Sequence, residues 1–251
     1  MLGPLIFAPY AEDMSHRFAG LSEGRLLEVA AGTGILTRAL DATLPPAVRI
    51  NATDLNPAML DHAATRLESP RVTWTPANAQ DLPFPDGTYD AVACQFGVMF
   101  FPEMQGAFAE ARRVLKPGGL YVFNVWDRLE ENDFAMVVTQ AAGAWFPNDP
   151  PLFLARTPHG HHDVAVLADR LRRVGFSTIA AEKVARYSIA RDARAPAMGY
   201  CQGTPLRAEI EARGAGLLAE VTDAAARAIA ARFGEGRVTG RIRAHVISAS
   251  R

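Results

Sequence analysis

The sequence predicts an α/β protein: a doubly wound, seven-stranded, mostly parallel sheet with helices on both faces, a last strand running antiparallel, and a helical insertion before that final strand. Three observations predict it. Apolar runs alternate with helix-period segments from residue 25 to residue 190. The first run, "LLEVAAGTGILTRAL" (26–40), ends in small residues and two glycines before turning helical, as a strand does when it hands the chain to a nucleotide-binding loop. Residues 191–236 then read as helices only, before "RIRAHVIS" returns to alternation.

Taken in order, the first strand is Arg25–Ala30, followed by a helix from Gly34 to Leu40. "VRINATDL" gives a second strand ending at Asp54. In "NPAMLDHAATRL", Asn56 caps a helix and Pro57 takes its first position, where a missing N–H costs nothing. "RVTWTPA" is a short third strand, "LPFPDGTYD" is turn chemistry, and "YDAVACQF" is a buried fourth strand. A helix from Glu103 to Leu115 stops at "KPGG", and "LYVFNVW" is the fifth strand. A helix over Asp133–Trp145 precedes a Pro-rich loop, "FPNDPPLFLARTPHG". Asp163 then caps a helix that ends just before Gly175, and "TIAAEKVARYSI" is a sixth strand. Thr204 caps and Pro205 begins one of the helices of 191–236; "LLAEVTDAAARAIAARF" is another. The reading is of one domain: an N-terminal helical cover (1–24), a cofactor-binding core (25–190), the helical insertion or cap (191–236) and a final strand (237–251).

Composition narrows the classes. The 251 residues are 49% hydrophobic and 21% charged, with a net charge of -1, ordinary for a globular protein and without the electrostatic footprint of a nucleic-acid binder. Charge is uneven: residues 1–155 hold 10 basic and 18 acidic side chains, residues 156–251 hold 16 and 9. The arginines are spaced along helices, which reads as solvated faces more readily than as a patch for an anionic substrate. Two cysteines, Cys94 and Cys201, make no disulfide framework, which with the lack of a basic, apolar leader points to a reduced, cytoplasmic protein. No run reaches the roughly 18 apolar residues of a membrane span.

The glycine loop carries the first chemical signal. The dinucleotide fingerprint G-x-G-x-x-G needs a third glycine where this chain has Thr37, and no lysine follows to make a P-loop. Glu28 then separates the ligands. A carboxylate beside a pyrophosphate is repelled by about 4 kcal/mol per charge pair at an intermediate dielectric, whereas a ligand carrying an ammonium and a sulfonium is attracted. S-adenosylmethionine carries both. Asp54, ending the second strand, is placed to accept hydrogen bonds from two ribose hydroxyls. Asn78-Ala79-Gln80, after the third strand, either reads an adenine edge or is a polar turn.

Together these residues resemble the class I S-adenosylmethionine-dependent methyltransferases, in particular the small-molecule branch containing the ubiquinone/menaquinone C-methyltransferases. The resemblance rests on "LLEVAAGTG", "NATDLNPAML", "ANAQDLPFPDGTYDAV", "CQFGVMFF", "ARRVLKPGGLYVFNVWD" and "LRRVGF", in the family's order over residues 25–176. It implies a Rossmann-like methyltransferase fold. It also implies that Glu28 lies near the methionine amino group of S-adenosylmethionine, and that the backbone of Ala30, Ala31, Gly32 and Gly34 wraps the methionine and sugar. Asp54 would hold the ribose, Leu55 and Met59 would pack on the adenine, and Asn78 would accept from its amine while Ala79 offers an N–H. Gln95 and Phe96 would lie beside the methionine arm. Relatives often carry aspartate at the position of Asn78.

The reaction so implied is methyl transfer to a small-molecule acceptor by in-line displacement, leaving S-adenosylhomocysteine, with the protein aligning the acceptor and excluding water. No base stands out. Tyr10, His161 and His162 are the weak candidates; Tyr10, Phe100, Trp126 and Arg156 are candidate pocket residues, each with packing or surface exposure as its plainer reading. The "HGHHD" cluster is not read as a metal site, because Asp163 is committed to a helix cap. A non-catalytic S-adenosylmethionine-binding regulator and an NAD(P)-dependent oxidoreductase are the rival readings, and the sequence leaves a homodimer open.

Overall fold

A computed structural model of the chain describes residues 2–251; Met1, the first residue of the expected N-terminal cover, lies outside the described residues. Seven strands form one sheet in the order β3-β2-β1-β4-β5-β7-β6. They are β1 (Gly24–Val29), β2 (Val48–Asp54), β3 (Val72–Pro76), β4 (Tyr89–Gln95), β5 (Leu115–Trp126), β6 (Ser177–Ala190) and β7 (Val238–Ser250). β1 pairs in parallel with both β2 and β4, so the order of strands reverses direction between β1 and β4. β7 runs antiparallel to β5 and β6. Its register against β5 appears in Arg251 N–H donating to the Gly119 carbonyl and Asp127 N–H to the Arg243 carbonyl. The expected fold class is therefore the observed one, and the final strand sits one place in from the edge.

The helices are α1 (Ala8–His16), α2 (Ile35–Thr43), α3 (Pro57–Ala64), α4 (Met104–Val114), α5 (Asp133–Trp145), α6 (Phe153–Arg156), α7 (Val164–Arg173), α8 (Arg194–Gln202), α9 (Leu206–Arg213) and α10 (Leu218–Phe233). Local signals set several of their ends. The Asn56 side chain accepts from Ala58 N–H at the start of α3, and Asp163 accepts from Ala165 and Val166 N–H at the start of α7. One boundary departs from expectation: β5 begins at Leu115, so "KPGG" lies inside the strand rather than in a turn before it. The register between β4 and β5 shifts there, with Tyr89 opposite Leu115 but Ala91 opposite Leu120. A bulge absorbs the extra residues. The loop after α5 also contains a short helix, α6.

The chain divides into two compact units. One comprises Tyr10–Val125, Asp163–Lys183 and His245–Arg251. Its core is the parallel part of the sheet, where Leu26, Leu27, Val92 and Ala93 are wholly buried, with an aromatic cluster of Phe108, Tyr121, Phe123 and Phe176 beside them. Such burial is what near-continuous apolar strands in a two-sided sheet are for. The other unit comprises Met1–Pro9, Trp126–His162 and Val184–Ala244. There α10 packs against α5 and α8, with the Phe134 and Phe233 rings edge to face at 5.3 Å.

Candidate active site

The first unit carries a cavity of about 300 Å³ lined by residues at the carboxyl ends of β1 (Val29, Ala30), β2 (Asp54, Leu55), β3 (Ala77–Gln80) and β4 (Phe96, Gly97), and by Phe100, Phe101 and Pro102. Parallel strands place their loops together at one end, and the reversal of strand order between β1 and β4 opens the crevice there.

Of the glycine loop, Ala30 lines the cavity, while Gly32 and Gly34 lie outside the lining. Ala30, Gly32 and Gly34 all have positive φ, at 56°, 55° and 73°. Gly34 opens α2, and a Cβ there would stand 3.0 Å from both the Ala63 methyl and the Trp74 ring, so only glycine fits without a shift. Gly32 N–H donates to Asp54 Oδ2 at 2.8 Å, and Asn56 N–H donates to Asp54 Oδ1 at 2.9 Å. Two backbone amides thus orient the Asp54 carboxylate at the cavity.

Glu28 lies behind this loop rather than in the cavity lining, and is 1% exposed. Thr37 Oγ1 donates to its Oε2 at 2.6 Å. Burial pushes its carboxyl up to about 8; the Thr37 hydrogen bond opposes this, the Asp54 charge adds to it, and Arg38 offsets part. Thr37 stands where a dinucleotide fingerprint would have its third glycine, and its hydroxyl is spent on the acid.

The other expected residues fall as follows. Asn78 and Ala79 line the cavity, and Asn78 Oδ1 accepts from Gln80 N–H at 3.0 Å, so the loop is also an Asx turn. Leu55 lines it and is 74% exposed, a large apolar side chain held toward solvent at the rim. Met59 is 41% exposed and lies outside the lining, as do Ala31 and Gln95. Phe96 lines the cavity with a left-handed backbone, φ 52°. Phe100, expected in an acceptor pocket, belongs to this same cavity and is 51% exposed. Tyr10 is fully buried, its ring edge-on to Phe96 at 5.2 Å.

Trp126 and Arg156 belong to the second unit. Trp126 is buried, between the Phe7 ring at 6.2 Å and the His159 ring at 6.1 Å. Arg156 pairs with Glu209 at 2.6 Å. Of the three histidines in "HGHHD", His161 and His162 are half-buried, and His162 Nδ1 lies 2.9 Å from the His159 carbonyl. His159 is the buried one, with Nδ1 2.8 Å from the Asp127 carbonyl. A carbonyl only accepts, so Nδ1 carries the proton and Nε2 the lone pair. Burial lowers its pKa to about 4, so the ring is neutral at pH 7.

Sequence reasoning passed over Asn124; Gly97, Phe101 and Pro102 belong to the stretch 96–102, which reads as an apolar substrate wall or as core, and they line this cavity. Within that stretch no local signal separates a lining residue from a packed one. Asn124 had one: an amide inside the apolar run "YVFNVW".

Known proteins resemble this chain in sequence and in fold. Residues 27–123 match the family described as a methyltransferase domain. Over 167 residues, the chain is 33% identical to the ubiquinone/menaquinone biosynthesis C-methyltransferase UbiE of Burkholderia mallei, covering 62% of this chain and 68% of that protein. The chain belongs to the class I S-adenosylmethionine-dependent methyltransferases. The methyltransferase fold recurs in YcgJ of Bacillus subtilis, with a TM-score of 0.59, 16% identity and coverage of 97% of this chain and 98% of that one. It recurs again in phosphoethanolamine N-methyltransferase 2 of Haemonchus contortus in complex with S-adenosyl-L-methionine, with a TM-score of 0.61, 14% identity and coverage of 97% and 52%. The cofactor of this methyltransferase is S-adenosylmethionine. The cavity suits it: an acid at the end of β2, a left-handed loop without phosphate-binding lysines, and largely apolar walls.

Proposed function

We propose that this methyltransferase acts on a small organic acceptor, and that the cavity at the ends of β1–β4 holds the nucleoside of the cofactor. The observation that carries the site is the Asp54 carboxylate, fixed by the Gly32 and Asn56 amides at the cavity and suited to accept from a ribose diol. Asn78 and the Ala79 N–H meet the adenine edge, Leu55 and Phe100 cover its faces, and Phe96 flanks the methionine arm. Behind the loop, Glu28 counters the positive charge of the amino group. When bound, the cofactor supplies a methyl group already activated on a sulfonium. The chain's own task is to orient the acceptor in line and to keep water out, which apolar walls serve.

Two features support a small acceptor. The net charge of -1 offers no attraction for a polyanion. The similarity to a C-methyltransferase of quinone biosynthesis favours an electron-rich ring or enol carbon, which needs little base assistance. Methyl-labelled cofactor incubated with hydroquinones, phenols, transfer RNA and protein tests this. Label is expected in the organic extract; label confined to RNA or protein would overturn the proposal. Removing the Asp54 carboxylate by Asp54→Ala is expected to weaken S-adenosylhomocysteine binding at least tenfold by calorimetry.

A further inference from the structure

Two residues of the site other than glycine hold left-handed backbone conformations, Ala30 after β1 and Phe96 after β4. L side chains adopt this region reluctantly, and a bulky aromatic more so than most. Something must hold Phe96 there. Its N–H donates to Asn124 Oδ1 at 2.8 Å, a buried hydrogen bond across to β5, where Asn124 is the register partner of Gln95. Asn124 is wholly buried, and its Nδ2 has no hydrogen-bond partner among the described residues. An amide with one group unsatisfied in a core is a poor choice for stability alone. Its useful half is the oxygen, aimed at the strained turn.

The next residue shows what the turn must achieve. A Cβ on Gly97 would stand 2.6 Å from the Ala30 methyl and 2.7 Å from Cys94 Sγ, so the β4 turn is pressed against the β1 loop with no side chain between. Ala30, Phe96 and Gly97 are neighbouring parts of the cavity wall. Release of Phe96 toward an ordinary backbone conformation would move that wall.

We infer that Asn124 is a positioning residue for cofactor binding: its buried amide oxygen clamps Phe96 in the left-handed conformation and so sets the Phe96–Gly97 wall against Ala30. The inference rests on the assignment of the cavity to the cofactor. Strained backbone held by an outside group at a ligand wall is the expected form of such preorganisation.

A double-mutant cycle tests it, with S-adenosylhomocysteine affinity measured by calorimetry on the full-length chain and folding followed by thermal melts. Asn124→Leu keeps the branched shape and the number of heavy atoms and removes the acceptor; it is expected to raise Kd about tenfold. Phe96→Gly removes the left-handed penalty, so adding Asn124→Leu to it is expected to raise Kd less than threefold further. Should Asn124→Leu fail to fold, Asn124→Ser, too short to reach the Phe96 amide, takes its place in the cycle. A purely structural Asn124 would lower the melting temperature and leave the Kd of folded protein unchanged, or would give equal losses in both backgrounds; either result overturns the clamp. Asp54→Ala separates the two readings. If it weakens binding and Asn124→Leu does not, the clamp alone fails; if neither does, the cavity assignment fails with it.

Discussion

Glu28 is an acid kept from water, and on the proposed assignment its proton takes part in the ligand chemistry. With a carboxyl raised to about 8 by burial, it is largely protonated at pH 7. The folded chain without cofactor holds this proton where the unfolded chain, near the ordinary value of 4.5, has lost it. Stability from this group is thus complete below pH 4.5 and falls as pH rises toward 8. An ammonium ligand reverses the preference and expels the proton. On the proposed assignment, S-adenosylmethionine should bind several-fold more tightly at pH 8 than at pH 6.5, with proton release visible as a buffer-dependent heat. Glu28→Gln should flatten that dependence, and a flat profile in the unaltered protein would contradict the placement of the amino group. Thr37→Val removes the hydroxyl that favours the charged form and should shift the midpoint of the profile upward. Glu28 was legible as a candidate for the site because an acid in an apolar strand is conspicuous. Its link to Thr37 spans one turn of loop and helix, and shows only when the chain is folded.

The turn after β4 and the start of α3 differ in how much a single atom costs. Gly97→Ala sets a methyl against the Ala30 methyl, which its own backbone fixes, and against the buried Cys94 Sγ. Overpacking of that kind costs about 1–3 kcal/mol, so the melting temperature should drop by several degrees and cofactor affinity with it. Asn56→Ala removes one cap acceptor at an exposed helix start, for about 1 kcal/mol, and should leave affinity nearly untouched once the loss of stability is allowed for. Caps such as Asn56 and Asp163 can be read from sequence because the atoms involved lie within three residues of each other. The start of β5 cannot. "KPGG" is a helix stop by local chemistry, yet Gly118 N–H donates to the Arg251 carbonyl and Lys116 reaches Asp90, partners far away along the chain. The same distance hid the partner of Asn124, whose amide oxygen meets the Phe96 N–H only once β4 and β5 lie side by side.

At the scale of the whole molecule, alternation of strand and helix was enough to anticipate a doubly wound sheet, and the end that carries the cavity follows from its parallel half. The insertion of β7 between β5 and β6 depends on pairing partners that a local pattern does not name. The division into two units has a practical consequence, because each owns one cysteine: Cys94 in the unit of the sheet core, Cys201 in the other. Both are fully buried, and burial pushes their thiols up to about 12 and about 11. Neither presents a thiolate to an alkylating reagent while its surroundings stay closed. The protein therefore carries two native clocks that tick only on opening. Pulse alkylation read by mass spectrometry should modify both slowly, and saturating S-adenosylhomocysteine should slow Cys94, which is packed against Gly97 of the cavity wall. Rates that match at every denaturant concentration would mark one cooperative transition, and rates that diverge would time the opening of each unit separately, with no label introduced.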